Sequence, residues 1–230
     1  MPFNTQFNNF PAGWKKMTNT WGNLNSQYFD LDQDLPAWYV ENSNSALLSA
    51  AAWQCKFPAI CEVDVDKKFY TGERGAPASY SGRMDLEIHV KDQRYWVEAK
   101  RRAFELSEES KYSLGHRFLA DSLRDAWGDA RKCRKSAQEF GARMVAVVFF
   151  SGHIGADASE RQPGEGRPAI RQARVSDEIN KMQISMETLG KEIGTTAYRA
   201  IFSQADFGIH KGWQGYDWPA VFGMCAIMDE

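Results

Sequence analysis

Nothing in the 230-residue sequence approaches the ~18 consecutive apolar residues that cross a bilayer. No membrane partner is therefore expected. Cysteine is scarce and unpaired: Cys55, Cys61, Cys133 and Cys225 show no CxxC spacing. That argues against a zinc ribbon or a disulfide framework and makes them small apolar side chains in a reducing compartment. The opening MPFNTQFNNF lacks a basic start followed by an apolar run, so a secretory signal is not expected and a cytoplasmic location is. Neither sign of charge dominates. The 28 basic and 30 acidic residues leave a net charge of −2, which excludes a bulk polycation and confines any nucleic-acid surface to a local patch. His89, His116, His153 and His210 lack ligand spacing and receive no role.

The sequence also shows no internal repeat and no interdomain linker, so a single domain is expected, long enough to bury a core. Its 43% apolar and 25% charged residues are ordinary for a globular protein. Residues 1–35, rich in Asn and aromatics with weak periodicity, are expected to form an irregular N-terminal arm. Trp14, Trp21, Tyr28 and Phe29 would anchor that arm by packing onto the domain. Residues 36–150 read as an α/β core, and 151–230 as a C-terminal elaboration of it.

Within the core, Asp34 offers a cap and Pro36 a first helical residue for PAWYVENSNSALLSAAAWQC. AICEVDVDKKFY alternates and reads as a strand. After the loop TGERGAPASYSG, the segments RMDLEIHV and RYWVEAK read as two more strands joined by KDQ, which makes an antiparallel three-strand meander. A long helix is expected over 113–140, ended by Gly141, on the 3-4 spacing of Leu119, Leu123, Ala126, Trp127, Ala130, Cys133, Ala137 and Phe140. RMVAVVFFSG reads as a central strand covered on both faces. The composition of GADASERQPGEGRPA marks a mobile loop. A helix near 173–193, a helical segment near 195–204 and a last strand AVFGMCAIM complete the expectation.

The meander carries unusual chemistry. Asp85 lies near the start of one strand, and Glu98 and Lys100 near the end of the next, although Asp, Glu and Lys are depleted in strands. Alternation sends Glu98 and Lys100 to one side while Val97 and Ala99 face the core. Asp85 can come alongside them if the hairpin pairs around KDQ. Two neighbouring carboxylates repel unless a cation separates them. Mg²⁺ typically takes one or two carboxylates and keeps several waters. A protonated lysine beside that ion cannot ligate it, but it can orient a water or neutralise charge on a phosphate. The three residues thus point to metal-assisted hydrolysis.

Asp85, a polar turn and then Glu98-Ala99-Lys100 at the end of the next strand resembles the PD-(D/E)xK nuclease superfamily. The order helix, three strands, helix, strand over roughly residues 36–150 is similar to that family's core. The resemblance implies a restriction-endonuclease-like mixed sheet flanked by helices, with further strands beyond the meander. It also implies a Mg²⁺- or Mn²⁺-dependent endonuclease acting on DNA, alone or as a homodimer or larger complex. Asp85, Glu98 and the Ala99 carbonyl would hold the ion, Glu41 would bind it through water, and Lys100 would position or activate the attacking water. Arg83 and Met84 stand where many members carry a proline. Glu62 is an alternative to Glu41, and Glu87 is a further ligand if it shares Asp85's face.

Plainer readings stand beside these. Asp85, Glu98 and Lys100 could form an exposed cross-strand ion pair, worth ~0–1 kcal/mol. Glu41 could simply favour a helix dipole, and Trp96 reads as core. The site could also be retired, leaving a nucleic-acid or protein binding module. For phosphate contact, Lys67, Lys68, Arg101 and Arg102 flank the site strands. Arg124, Arg131 and Lys135 lie on a helical stripe with Arg117, Asp121 and Gly128.

Overall fold

The computed structural model describes residues 3–32, 35–38, 40–69, 78–105, 115–154, 167–203 and 217–229. The N-terminal segment is regular, not an irregular arm: a strand β1 (Asn4–Asn8) leads into a 21-residue helix α1 (Ala12–Asp32). Trp14, Met17, Thr18, Trp21, Asn25 and Phe29 make one buried helical stripe. The polar members are satisfied inside it. Asn25 Nδ2 donates to the Trp21 carbonyl, and its Oδ1 accepts from the Ala37 N–H at 2.9 Å. Thr18 accepts from Asn8 Nδ2 at 2.7 Å. Trp14, Trp21 and Phe29 pack onto the domain as expected, whereas Tyr28 is exposed.

That Asn25–Ala37 bond ties down a 3-10 turn at Pro36–Trp38, and helix α2 (Glu41–Gln54) begins only after it. The expected start at Pro36 is therefore five residues early. Val40 occupies the cap position in extended conformation with no side-chain cap bond. Asp34 lies outside the described residues.

The meander forms as expected from β2 (Ala59–Phe69), β3 (Ala78–Val90) and β4 (Gln93–Glu105), all antiparallel. The expected 113–140 helix is broken in two, α3 (Gly115–Arg131) and α4 (Arg134–Glu139). At the break, the Lys132 and Cys133 N–H groups reach back to the Asp129 and Ala130 carbonyls. The tightened turn keeps Ala130, Cys133 and Ala137 in one core cluster and leaves Phe140, an expected core residue, 62% exposed. Gly141 follows at φ +64°, the conformation that favours glycine.

The second half adds β5 (Ala142–Ile154), α5 (Arg167–Ile193), β6 (Ala197–Ser203) and β7 (Asp217–Met228). Of the expected mobile loop, residues 155–166 lie outside the described residues and 167–169 open α5. The segment expected to be helical near 195–204 is the strand β6. Gly194 at φ +70° ends α5, and β6 is then hydrogen-bonded between β1 and β7, so its apolar run serves as a covered strand. Among the described residues seven strands lie in the order β1-β6-β7-β5-β4-β3-β2, with β4–β5 the one parallel pair. The protein is thus α/β, a mixed sheet flanked by helices.

One face of the sheet carries Leu86, Val97, Ala99, Val147, Phe149 and Phe222 beneath α1 and α2. The other carries Ala146, Val148, Phe150 and Cys225 beneath Leu119, Leu123 and Ala126 of α3 and Met182 and Met186 of α5. Among the described residues no helix is long and apolar enough to cross a membrane. All four cysteines are free, and only Cys61 is exposed. Burial pushes the Cys133 thiol up to about 11 and the Cys225 thiol up to about 12. Iodoacetamide at neutral pH is therefore expected to alkylate Cys61 alone in the native protein and all four after denaturation. Native labelling of Cys133, read by peptide mass, would contradict the packing around the α3–α4 turn.

Candidate active site

The meander loses its regular alternation at one place. On β3, Leu86 belongs to the α1–α2 face, yet Met84, two residues earlier, belongs to the cluster on the opposite face. On β2, Ala59 and Val65 divide between the faces in the same way. The pairs Cys61↔Leu86 and Val63↔Met84 bracket Glu62 and Asp85 at the break. Glu62 has φ +56° there, a backbone region uncommon outside glycine. Strand β3 also leaves β4 at this point, Leu86↔Val97 being the last of their paired positions.

Asp85 bridges the opening. Its Oδ2 accepts the Ala99 N–H at 2.6 Å, in place of a backbone ladder bond. The N–H and C=O of one strand residue point the same way across a sheet, so the Ala99 carbonyl faces the same opening. Glu98, 6% exposed, lies beside it. Lys67 Nζ stands 3.1 Å from Glu98 Oε2, and Lys100 Nζ stands 3.7 Å from Oε1. Lys100 also approaches Asp129 Oδ2 of α3 at 3.4 Å, while Lys132 contacts the other Asp129 oxygen at 2.5 Å. Charges alternate along the row Lys67, Glu98, Lys100, Asp129 and Lys132.

The carboxylates are short of positive charge. Burial, then the charge of Asp85, pushes Glu98 above the ordinary Glu value, with Lys67 and Lys100 offsetting part of the rise. Burial likewise raises Asp85 against the Ala99 hydrogen bond and the same two lysines. Glu41, the first residue of α2, is raised by burial and then by Asp85, with Glu98 adding to it and Lys100 opposing. For Lys100, burial favours the neutral amine, but Glu98, Glu41 and Asp129 outweigh it and hold the pKa above the ordinary value. Lys100 is therefore an ammonium at neutral pH, a charge and a donor rather than a proton acceptor.

This donor set is all oxygen, carries excess negative charge and suits a hard divalent cation. Among the described residues no three His, Cys, Asp or Glu side chains lie close enough together to hold a metal ion. The carboxylates thus form no closed cage, and an ion here would complete its shell with water.

Two of the further expected ligands are otherwise engaged. Glu87 accepts from Trp96 Nε1 at 2.7 Å and meets His89 Nε2 at 2.8 Å and Arg94 at 3.5 Å. Burial opposes its ionisation, but those partners prevail and hold its pKa down. Glu87 stands opposite Trp96, two positions before Glu98, and serves this cross-strand network. Glu62 pairs in solvent with Arg83 at 2.7 Å. Trp96 is core, as expected.

The basic residues divide. Lys67 turns inward to Glu98, with its side chain only 11% exposed, so it is not the outward phosphate contact expected of it. Arg101 is half-buried and donates toward Ser151 Oγ, and burial lowers its pKa. Arg102 is exposed and donates to Ser122 Oγ. Arg124 is taken up by Asp121 and Glu192 at 2.7 and 2.8 Å. Arg131 is exposed, as is Lys135, which lies 3.8 Å from Glu139. The side chains of Lys68, Arg117, His116 and His153, and all of His210, lie outside the described residues. Asp129 went unnoticed in the sequence. Its one signal is the acid three residues before Lys132 at the helix end.

Together these features define an α/β protein with a buried carboxylate–lysine cluster where two strands of a mixed sheet part. No family model, no curated protein and no solved structure matches the chain.

Proposed function

We propose that this protein is a metal-dependent nuclease of the PD-(D/E)xK, restriction-endonuclease-like type that hydrolyses DNA phosphodiester bonds endonucleolytically in the cytoplasm. One observation carries the reading: Asp85, the Ala99 backbone, Glu98 and Lys100 converge where β3 parts from β4. Burial and then the charge of Asp85 raise the pKa of Glu41. Asp85, Glu98 and the Ala99 carbonyl would hold Mg²⁺ or Mn²⁺, with Glu41 joined through water. When bound, the ion supplies Lewis acidity and lowers the pKa of its water. The Ala99 N–H fixes the Asp85 carboxylate. Lys100 stays protonated between Glu98 and Asp129, where it orients the attacking water and offsets charge building on the phosphate. The exposed Arg102, Arg131 and Lys135 are candidates for backbone contacts with DNA, as a single chain or within a homodimer or larger complex.

A second reading, a retired site on a binding module, draws support from the same contacts. Glu98 already has two lysines on it, and Asp85 already has an N–H. Mn²⁺ titration separates the two, because a retired site takes up no carboxylate-dependent ion. The direct test is a panel of labelled linear, nicked, single-stranded and branched DNA, with RNA beside it, incubated with Mg²⁺ or Mn²⁺. Cleavage is expected to stop in EDTA and to fall by about 10²–10³-fold in Lys100→Ala. No cleavage of any substrate with either ion, or a Lys100→Ala protein as active as wild type, would overturn the proposal.

A further inference from the structure

Lys67 belongs to the edge strand β2, yet its ammonium ends on Glu98, two strands away. The route is built for it. The stem lies across Gly82 of β3, where a Cβ would come within 2.8 Å of Lys67 Cδ, 3.0 Å of Cγ and 3.3 Å of Cε. Only a residue without a side chain lets the lysine cross the middle strand this closely. At the far end, the ammonium is nearly enclosed and approaches Glu98 Oε2 more closely than Lys100 approaches Oε1, 3.1 Å against 3.7 Å. Lys100 has a second anion in Asp129 to hold it. The Lys67 ammonium therefore sits on an oxygen that an ion at this site would need.

We infer that Lys67 is the site's internal counter-ion, a positioning residue that neutralises Glu98 in the metal-free protein and competes with the incoming divalent cation for the same carboxylate. The inference rests on the metal-site reading above and extends it. Metal affinity is set low by a lysine outside the Glu-x-Lys motif, and loading the ion pushes a positive charge off Glu98 within the site. Such competition moves half-occupancy to a higher ion concentration than the same carboxylates would need without the lysine.

The test is Mn²⁺ binding to the full chain, read as loss of the free-ion signal in electron paramagnetic resonance, together with melting in EDTA and in saturating Mn²⁺. Lys67→Met, which keeps the apolar stem and removes the charge, is expected to bind Mn²⁺ about tenfold more tightly. It should melt below wild type in EDTA and recover with Mn²⁺. Lys67→Arg keeps the charge and is expected to hold the wild-type affinity. Gly82→Ala leaves Lys67 in the chain but forces its stem aside, and is expected to tighten binding several-fold. It serves also if Lys67→Met fails to fold.

Lys67→Met or Gly82→Ala binding no more tightly than wild type, while Glu98→Gln abolishes uptake, would overturn this inference and leave the metal site standing. No Mn²⁺ uptake by wild type would remove the metal site and this inference with it.

Discussion

Glu98→Gln is expected to abolish Mn²⁺ uptake and to cut metal-dependent cleavage by about 10³-fold or more, the scale of losing a Lewis acid worth several kcal/mol. The same change should barely affect the metal-free fold. Glu98 is buried beside Asp85, and its carboxyl is pushed above its ordinary value of 4.5 by burial and then by that neighbour. Its raised pKa means that the folded state prefers the proton. The stability Glu98 contributes is therefore fully present below its unfolded value and lost as pH rises through the higher folded value. Glutamine resembles the protonated form at every pH, and its amide oxygen still accepts from Lys67.

In EDTA, wild type should therefore lose melting temperature relative to Glu98→Gln as pH climbs from below 4.5 toward neutrality. Asp129 and Glu87, whose pKa values are lowered, work in the opposite direction in both proteins and cancel in the comparison. In Mn²⁺ the sign reverses for wild type alone, because the ion needs the ionised carboxylate and its stabilisation grows with pH. A Glu98→Gln protein that melts far below metal-free wild type, with Mn²⁺ moving neither, would mark Glu98 as a strut between two lysines.

Trp21→Ala is expected to cost about 3–5 kcal/mol, a large part of a typical domain's stability. The indole is fully buried on α1, and its ring centroid lies 5.5 Å from Phe149, 5.6 Å from Phe222 and 6.0 Å from Phe202. Those three partners come from β5, β7 and β6, so the truncation loosens α1 from three strands together. Trp21→Phe should cost far less. The Trp21 Nε1–H finds no acceptor among the described residues, and phenylalanine removes that buried donor while keeping most of the ring. Chemical denaturation of the two variants checks the order. A Phe variant as unstable as the Ala variant would mean that the indole N–H, and not the ring, carries the contact.

The meander was legible because Cys61, Val63 and Val65, then Leu86 and Ile88, then Tyr95, Val97 and Ala99 follow the two-residue period of a strand closely enough to fix its segments and order. Helix α1 was not. Thr18 and Asn25 take two of its buried positions, and a stripe broken by polar residues has no visible apolar period, although both side chains find partners inside. Strand β6 was misread because AYRAIFS fits a covered strand as well as a helical turn, and its neighbours β1 and β7 come from the two ends of the chain. At the site, motif and alternation brought Glu98 and Lys100 to one face. The break at Glu62 and Asp85 was invisible, because a left-handed glutamate has no signature in sequence. Lys67 and Asp129 depend on cross-strand reach and on the broken helix, both properties of the assembled fold.

The pairing of β1 with β6 sets an order of events during synthesis. Asn4 meets Ser203, and the Arg199 N–H is held by Asn9 across 190 residues of chain. At about 5–20 residues per second on a ribosome, that interval lasts roughly ten to forty seconds. Through all of it, Trp21 waits without Phe202 and Phe222 to cover it. The buried stripe of the N-terminal helix is thus completed late, and closing so long a loop makes the last docking step slow.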